Sequence, residues 1–198
     1  QTAATGAELL KSTGTTAGTV LVQDSGAGAT GSSPTQLTNV NGILFYAADN
    51  GVNGKELWKS NGTAAGTIQL KDIKTGAGSS LPSELTNVNG TVFFSADDGS
   101  HGEELWKSNG TPAGTVLAKD IQPGANSSFP QQLTNVNGTL FFGANDGVTG
   151  TEPWTSDASG IDLYQDIVPM AGSSSPSQWT IAGPYVFFEA TNGVSGFE

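Results

Sequence analysis

The chain has 198 residues, with 18 acids against 7 bases for a formal net charge of −11, and no cysteine. This balance argues against nucleic acid or an anionic membrane as a partner, because phosphate binding needs clustered Lys and Arg. The missing thiols exclude disulfides and thiolate chemistry. No apolar run is long enough to span a membrane, and neither a charged n-region nor an apolar h-region opens the chain, so neither membrane insertion nor a signal peptide in this form is expected.

Taken in order, the chain repeats itself. Gly6 to Asp24 reads GAELLKSTGTTAGTVLVQD, and Ile43 to Ile73 reads ILFYAADNGVNGKELWKSNGTAAGTIQLKDI. The string returns at Thr91 to Ile121 and, with changes, at Thr139 to Ile167; at Tyr185 to Glu198 only its first part remains. Gly6, Gly54, Gly102 and Gly150 stand 48 residues apart. A period of this length means a repeat architecture.

Within one repeat, Ser83 to Val88 is the expected first strand. Asn89-Gly90 is a hairpin turn, because both central positions of a type I′ turn need positive φ. Thr91 to Ala96 is the second strand, Asp97 to Gly102 a longer loop, Glu103 to Lys107 the third strand, Ser108 to Gly114 a turn and Thr115 to Ile121 the fourth strand. Gln122 to Pro130, rich in Gly, Pro and Ser, connects to the next repeat. Short β-branched and aromatic runs broken by Gly exclude helices. The second strands are apolar runs such as Val92-Phe93-Phe94, which means both faces are covered. A four-stranded meander covered on both faces by copies of itself is a propeller blade.

The expected fold is therefore all-β: a β-propeller of 48-residue four-stranded blades forming one domain over 1–198. Blades are expected at 34–73, 82–121 and 130–167. A composite fourth blade combines 7–24 with 178–198, because Gly196 and Glu198 match Gly6 and Glu8. Trp179 replaces the Leu37, Leu85 and Leu133 of the other first strands, while Leu10 replaces Trp58, Trp106 and Trp154, a swap that conserves volume if both lie in one blade. The closing halves come either from one chain, giving a ring, or from two, giving a head-to-tail oligomer or filament.

The words ELWKSNGT (Glu56 to Thr63 and Glu104 to Thr111), with ELLKSTGT and EPWTSDAS as degenerate copies, resemble the ELWxxDGT repeats of large secreted bacterial proteins. The resemblance covers almost the whole chain. It implies an extracellular or cell-surface location and a propeller-like fold, and carries no catalytic residues. Asn61 and Asn109 depart from the Asp of the family word; Asn tolerates the same turn conformation.

Propeller geometry places the loops between second and third strands on one face. There Asp49, Asp97, Asp98 and Asp146, followed by Glu56, Glu104 and Glu152, form a candidate Ca²⁺ or ligand set of hard oxygen donors. Ordinary turn chemistry of Asp before Gly is the competing reading. Asn39, Asn87 and Asn135 on the first strands are candidates to hold ligand, water or an ion in the channel. The Glu before Leu-Trp, present in every copy, is expected to accept hydrogen bonds from a neighbouring loop, and the Trp residues to pack between blades. The single histidine, His101, lacks partners for zinc, and no nucleophile–base pair assembles, so no catalytic residue is assigned. The function expected is a non-enzymatic binding or structural module for a glycan or cell-surface component, with self-assembly and a glycosidase-type propeller enzyme as alternatives.

Overall fold

The computed structural model describes residues 6–26, 28–157 and 160–194. The chain is all-β, with no α-helix among these residues. Three four-stranded antiparallel sheets follow one another: β3 (Thr35–Val40), β4 (Ile43–Asp49), β5 (Lys55–Ser60) and β6 (Ile68–Gln69); β7 (Ser83–Val88), β8 (Thr91–Asp97), β9 (Glu103–Ser108) and β10 (Thr115–Lys119); β11 (Gln131–Val136), β12 (Thr139–Asn145), β13 (Thr151–Ser156) and β14 (Ile161–Leu163). They are flanked by two-stranded sheets, β1 (Leu10–Lys11) with β2 (Val20–Leu21) and β15 (Ser177–Ala182) with β16 (Tyr185–Glu189). Among the described residues no helix is long and apolar enough to cross a membrane, which says nothing of a β-barrel.

The hairpins form where the Asn-Gly pairs put them. Asn41, Asn89 and Asn137 sit at φ 51–52° and the following glycines at 85–89°, the double positive φ of a type I′ turn. Each first strand also bulges at its second residue. Gln36, Glu84, Gln132 and Gln178 take φ of 56–58°, and the register slips at that point. The threonine two residues on donates to the bulged carbonyl, as from Thr86 Oγ1 to Glu84 O at 3.0 Å. Between the full sheets the same hydroxyl reaches across: Thr38 Oγ1 to Leu85 O at 3.2 Å and Thr86 Oγ1 to Leu133 O at 2.9 Å.

The core lies between the sheets. One cluster joins Phe45, Leu57 and Leu70 of the first full sheet to Leu85, Phe94 and Trp106 of the second. The next joins Phe93 and Leu105 to Leu133, Phe142 and Trp154. Phe93 thus points forward and Phe94 back, so the apolar run of β8 has both faces buried by neighbours, as such a run requires. Smaller clusters tie Leu9 and Val22 to Trp58, and Phe141 to Trp179. First strands contact first strands in succession, β3 with β7, β7 with β11 and β11 with β15.

Among the described residues, the halves expected to form the composite fourth blade, β1–β2 and β15–β16, are separate two-stranded sheets. Leu85 and Leu133 are each 8% exposed, but Leu37 is 57% exposed; Phe45 is 3% exposed, but Phe187 is 55% exposed. Each terminal residue lacks the neighbouring sheet that buries its counterparts. The matching ends Gly196 and Glu198 lie outside the described residues.

Candidate functional site

The loop face is built around a carboxylate in the third strand of each repeat. Glu104 is fully buried. Its Oε2 accepts from Ile121 N at 2.8 Å and Ser128 Oγ at 2.7 Å, and its Oε1 from Ser128 N at 2.9 Å and Gln122 N at 3.4 Å. Glu56 holds Ile73, Lys74 and Ser80 in the same way. Glu152 accepts from Ile167 N and Ser174 N, and Glu8 from Ser25, Gly26 and Ser32. Burial pushes the Glu56 and Glu104 carboxyls up, and their donors offset only part of this. Burial also pushes Glu8 up, but there the Ser32, Gly26 and Ser25 donors outweigh it and hold the group low. These carboxylates clamp the connector to the hairpin, the role expected of the repeated Glu.

The repeated glycine ahead of this strand has a matching cause. At Gly102, φ is +70° and a Cβ would lie 2.4 Å from Asn126 O. At Gly54 and Gly150 the obstructing atoms are Gly78 O at 2.5 Å and Gly172 O at 2.1 Å. The connector crosses the loop so closely that no side chain fits.

The aspartates build the loop itself. Asp49 Oδ1 accepts from Gly51 N at 2.7 Å and Asp97 Oδ1 from Gly99 N at 2.6 Å. Asp98 Oδ1 caps Ser100 N and His101 N, and Asp146 Oδ1 caps Val148 N and Thr149 N. Asp97 also pairs with Lys74 of the preceding connector at 2.6 Å, a half-exposed contact worth ~0–1 kcal/mol. Asp98 Oδ2 meets His101 Nδ1 at 2.8 Å. Burial pushes the Asp98 carboxyl up, but the bonds from the His101 side chain and from the His101 and Ser100 N–H groups outweigh it and hold it below the usual range. The same bond to Asp98 raises His101.

The structure therefore places Asp49, Asp97 with Asp98, and Asp146 on equivalent loops of three successive repeats, but leaves them apart from Glu56, Glu104 and Glu152, whose oxygens face the scaffold. Among the described residues no three His, Cys, Asp or Glu side chains converge to hold a metal. Beside the loops, Asp72, Asp120 and Asp166, the acids that recur at the ends of the fourth strands, each bury Oδ1 without a hydrogen-bond donor. The other oxygen of Asp72 accepts from Asn53 Nδ2 at 2.9 Å and Gly76 N at 3.1 Å. Two exposed apolar residues, Leu81 and Phe129, sit on the same face at φ 52° and 50°.

Asn39, Asn87 and Asn135 belong to the opposite face. Their Oδ1 atoms accept from Gly42 N, Gly90 N and Gly138 N at 2.9–3.0 Å, closing the Asn-Gly turns. Asn135 Nδ2 also donates to Asn87 O at 2.7 Å. Asn61 and Asn109 build the turn after the third strand, where Asn109 Oδ1 accepts from Thr111 N at 3.0 Å and Thr111 Oγ1 at 2.7 Å. An aspartate would accept the same two bonds. Trp58, Trp106 and Trp154 are buried between sheets, with Lys119 Nζ 5.3 Å from the Trp154 ring centroid. Family models, curated proteins and solved structures were compared with this chain, and none matches.

Proposed function

We propose that this chain is a non-enzymatic extracellular module in which each four-stranded sheet acts as a propeller-type blade and the loop face carries the ligand site. One observation carries the reading: the repeated carboxylates are committed to the scaffold. Glu56, Glu104 and Glu152 are 0% exposed and bonded to connector donors, so none is placed to meet a substrate. General acid–base chemistry needs two reachable carboxyls in unlike environments. The loop face does offer Asp, Asn and Ser groups beside exposed Leu81 and Phe129, a mixture suited to the hydroxyls and apolar faces of sugars. The ELWxxDGT resemblance supports the secreted location.

A glycan array read with and without Ca²⁺ tests this. The expected result is binding that Phe129→Ser weakens and that Asn87→Ala, on the opposite face, leaves unchanged. Hydrolysis of any glycoside, abolished by Glu152→Gln, would overturn it, as would a ligand confined to the Asn-Gly turn face.

A further inference from the structure

We infer that the cleft between the second and third full sheets binds a carboxylate-bearing sugar, a uronate, whose anionic group is held by Lys107. The cleft opens beside the Asn-Gly turns, so it is a second site, apart from the loop face.

The repeats supply their own comparison. The lysines of β1 and β5 each reach forward to a turn of the next sheet: Lys11 Nζ donates to Gly62 O and Lys59 Nζ to Gly110 O, both at 2.7 Å. The turn after β9 also packs on the preceding sheet, where a Cβ on Gly110 would lie 3.2 Å from the Phe45 ring. The serine that ends the third strand is closed off by its own turn. Ser60 Oγ pairs with Thr67 Oγ1 at 2.7 Å and Ser108 Oγ with Thr115 Oγ1 at 2.8 Å. The same two hydroxyls accept from Gly62 N and Gly110 N.

The third full sheet breaks this pattern. Ser108 stands opposite Thr115 with 109–114 between them, but Ser156 stands opposite Ile161 with only 157–160 between them. Ile161 has no hydroxyl to offer Ser156. Among the described residues neither Ser156 Oγ nor Lys107 Nζ has a hydrogen-bond partner. Lys59 is half-buried, whereas Lys107 is exposed. The space widens accordingly. The cleft beside Asn41, Phe45 and Lys59 has a volume of about 310 Å³, and its counterpart one repeat on, beside Asn89 and Phe93, about 520 Å³.

The two freed groups line one space. An adjoining cleft of about 390 Å³ is bounded by Phe93, Lys107, Lys119, Ser156, Asp157 and Asp162, within the ~300–1,000 Å³ range of small-molecule sites. Phe93 and Lys107 stand opposite each other on β8 and β9 and so share a face of the sheet. Lys119 Nζ is held by Ile161 O and Asp162, which leaves Lys107 as the cation open to a ligand. Its ammonium is a compact point charge suited to a single carboxylate. Asp157 and Asp162 on the same wall repel a dianion such as phosphate, and their oxygens accept from sugar hydroxyls. Ser156 Oγ adds a group that both donates and accepts, and Phe93 gives the floor an apolar surface for a ring. One negative charge, several hydroxyls and a ring describe a uronate.

Amide NMR titration with glucuronate, and with glucose as the neutral control, tests this. Glucuronate should give saturating shifts at Phe93, Lys107 and Ser156 and bind at least about 10-fold more tightly than glucose, the usual worth of a hydrogen bond to a charged group. Lys107→Met should lower glucuronate affinity about 10-fold and Lys107→Arg should keep most of it. Both sites of change are exposed, so the spectra should otherwise match wild type. Replacing 157–160 by Asn-Gly-Thr-Pro-Ala-Gly, the sequence of 109–114, should return a carbonyl to Lys107 and abolish binding. Should that graft not fold, Lys107→Met decides alone. Glucose binding as tightly as glucuronate, shifts that do not saturate or that fall away from the cleft, Lys107→Met binding like wild type, or a folded graft that still binds would each overturn the inference. Phe129→Ser, on the loop face, should change nothing here. A chain that binds glucuronate through Lys107 and no glycan on the loop face upholds this site and overturns the loop-face proposal.

Discussion

Replacing Glu104 by alanine should be among the costliest single changes in this protein. The side chain is fully buried, and its oxygens accept from Ile121 N, Ser128 N and Ser128 Oγ, all within 2.9 Å. Ser128 N keeps a second bond to Glu103 O at 3.1 Å, and the hydroxyl can turn toward the same carbonyl, 3.5 Å away. Ile121 N is left a buried unsatisfied donor, at ~1–3 kcal/mol, and Ser128 loses its bonds to a charged acceptor. The expected loss is ~3 kcal/mol, or a fall in Tm of ~6–12 °C for a chain of this size. Glu104→Gln keeps one acceptor and turns its amide toward the other pair. The Ser128 hydroxyl can accept from that amide but Ile121 N–H cannot, so about half the loss remains. Glu103→Gln, whose carboxylate accepts from Ser95 Oγ at 2.7 Å in a partly exposed position, is the control and should cost under ~0.5 kcal/mol. Because repeat arrays unfold in parts, the assay is thermal melting combined with amide exchange at Ile121 and Ser128. A Glu104→Ala chain melting within ~2 °C of wild type, with the Ile121 amide still protected, would refute the clamp argument.

Gly102→Ala should cost ~2–4 kcal/mol, from positive φ and a backbone clash, whereas Gly90→Ala, where a Cβ would meet only the Asn41 amide at 3.0 Å, should cost ~1 kcal/mol; equal losses in denaturant melts would contradict this. Asn109→Asp should leave Tm within ~2 °C while Asn109→Ala lowers it, because both acceptor bonds to Thr111 survive only in the first. His101, titrated by NMR, should show a pKa above its ordinary 6.5, and Asp98→Asn should bring it back. The sign follows from linkage. The raised His101 contributes stability below 6.5 and loses it as pH rises through its folded value. The lowered Asp98 contributes above 3.8 and loses it as pH falls through its folded value. The pair thus acts fully between those two pH values, and a His101 titration unchanged in Asp98→Asn would reject the coupling.

Much of the strand order was legible because turn chemistry is local. Asn-Gly fixes a hairpin wherever it falls, and the expected strands Ser83 to Val88 and Thr115 onward begin where β7 and β10 begin. The fourth strand was read as running to Ile121 but ends at Lys119, because the Ile121 and Gln122 amides turn away to Glu104. The bulges at Gln36, Glu84, Gln132 and Gln178 were missed because no glycine marks their positive φ; the only trace is the threonine two positions later. The role of Glu104 as an acceptor for loop amides could be reasoned from its recurrence, but the use of Asn39, Asn87 and Asn135 to close the Asn-Gly turns could not.

The carboxylate clamps are out of phase with the sheets. Each runs from a third strand to the serine just before the next first strand: Glu8 to Ser32, Glu56 to Ser80, Glu104 to Ser128 and Glu152 to Ser174. Counted by sheets, the described residues hold three complete units; counted by clamps, they hold four. A cut between Lys119 and Gln131 would separate whole sheets yet sever a clamp. A cut at Asn89-Gly90 would divide a sheet at one hairpin and leave every clamp intact. The natural seam for shortening, extending or splicing this array therefore runs through the Asn-Gly turns, in the middle of the sheets and not between them.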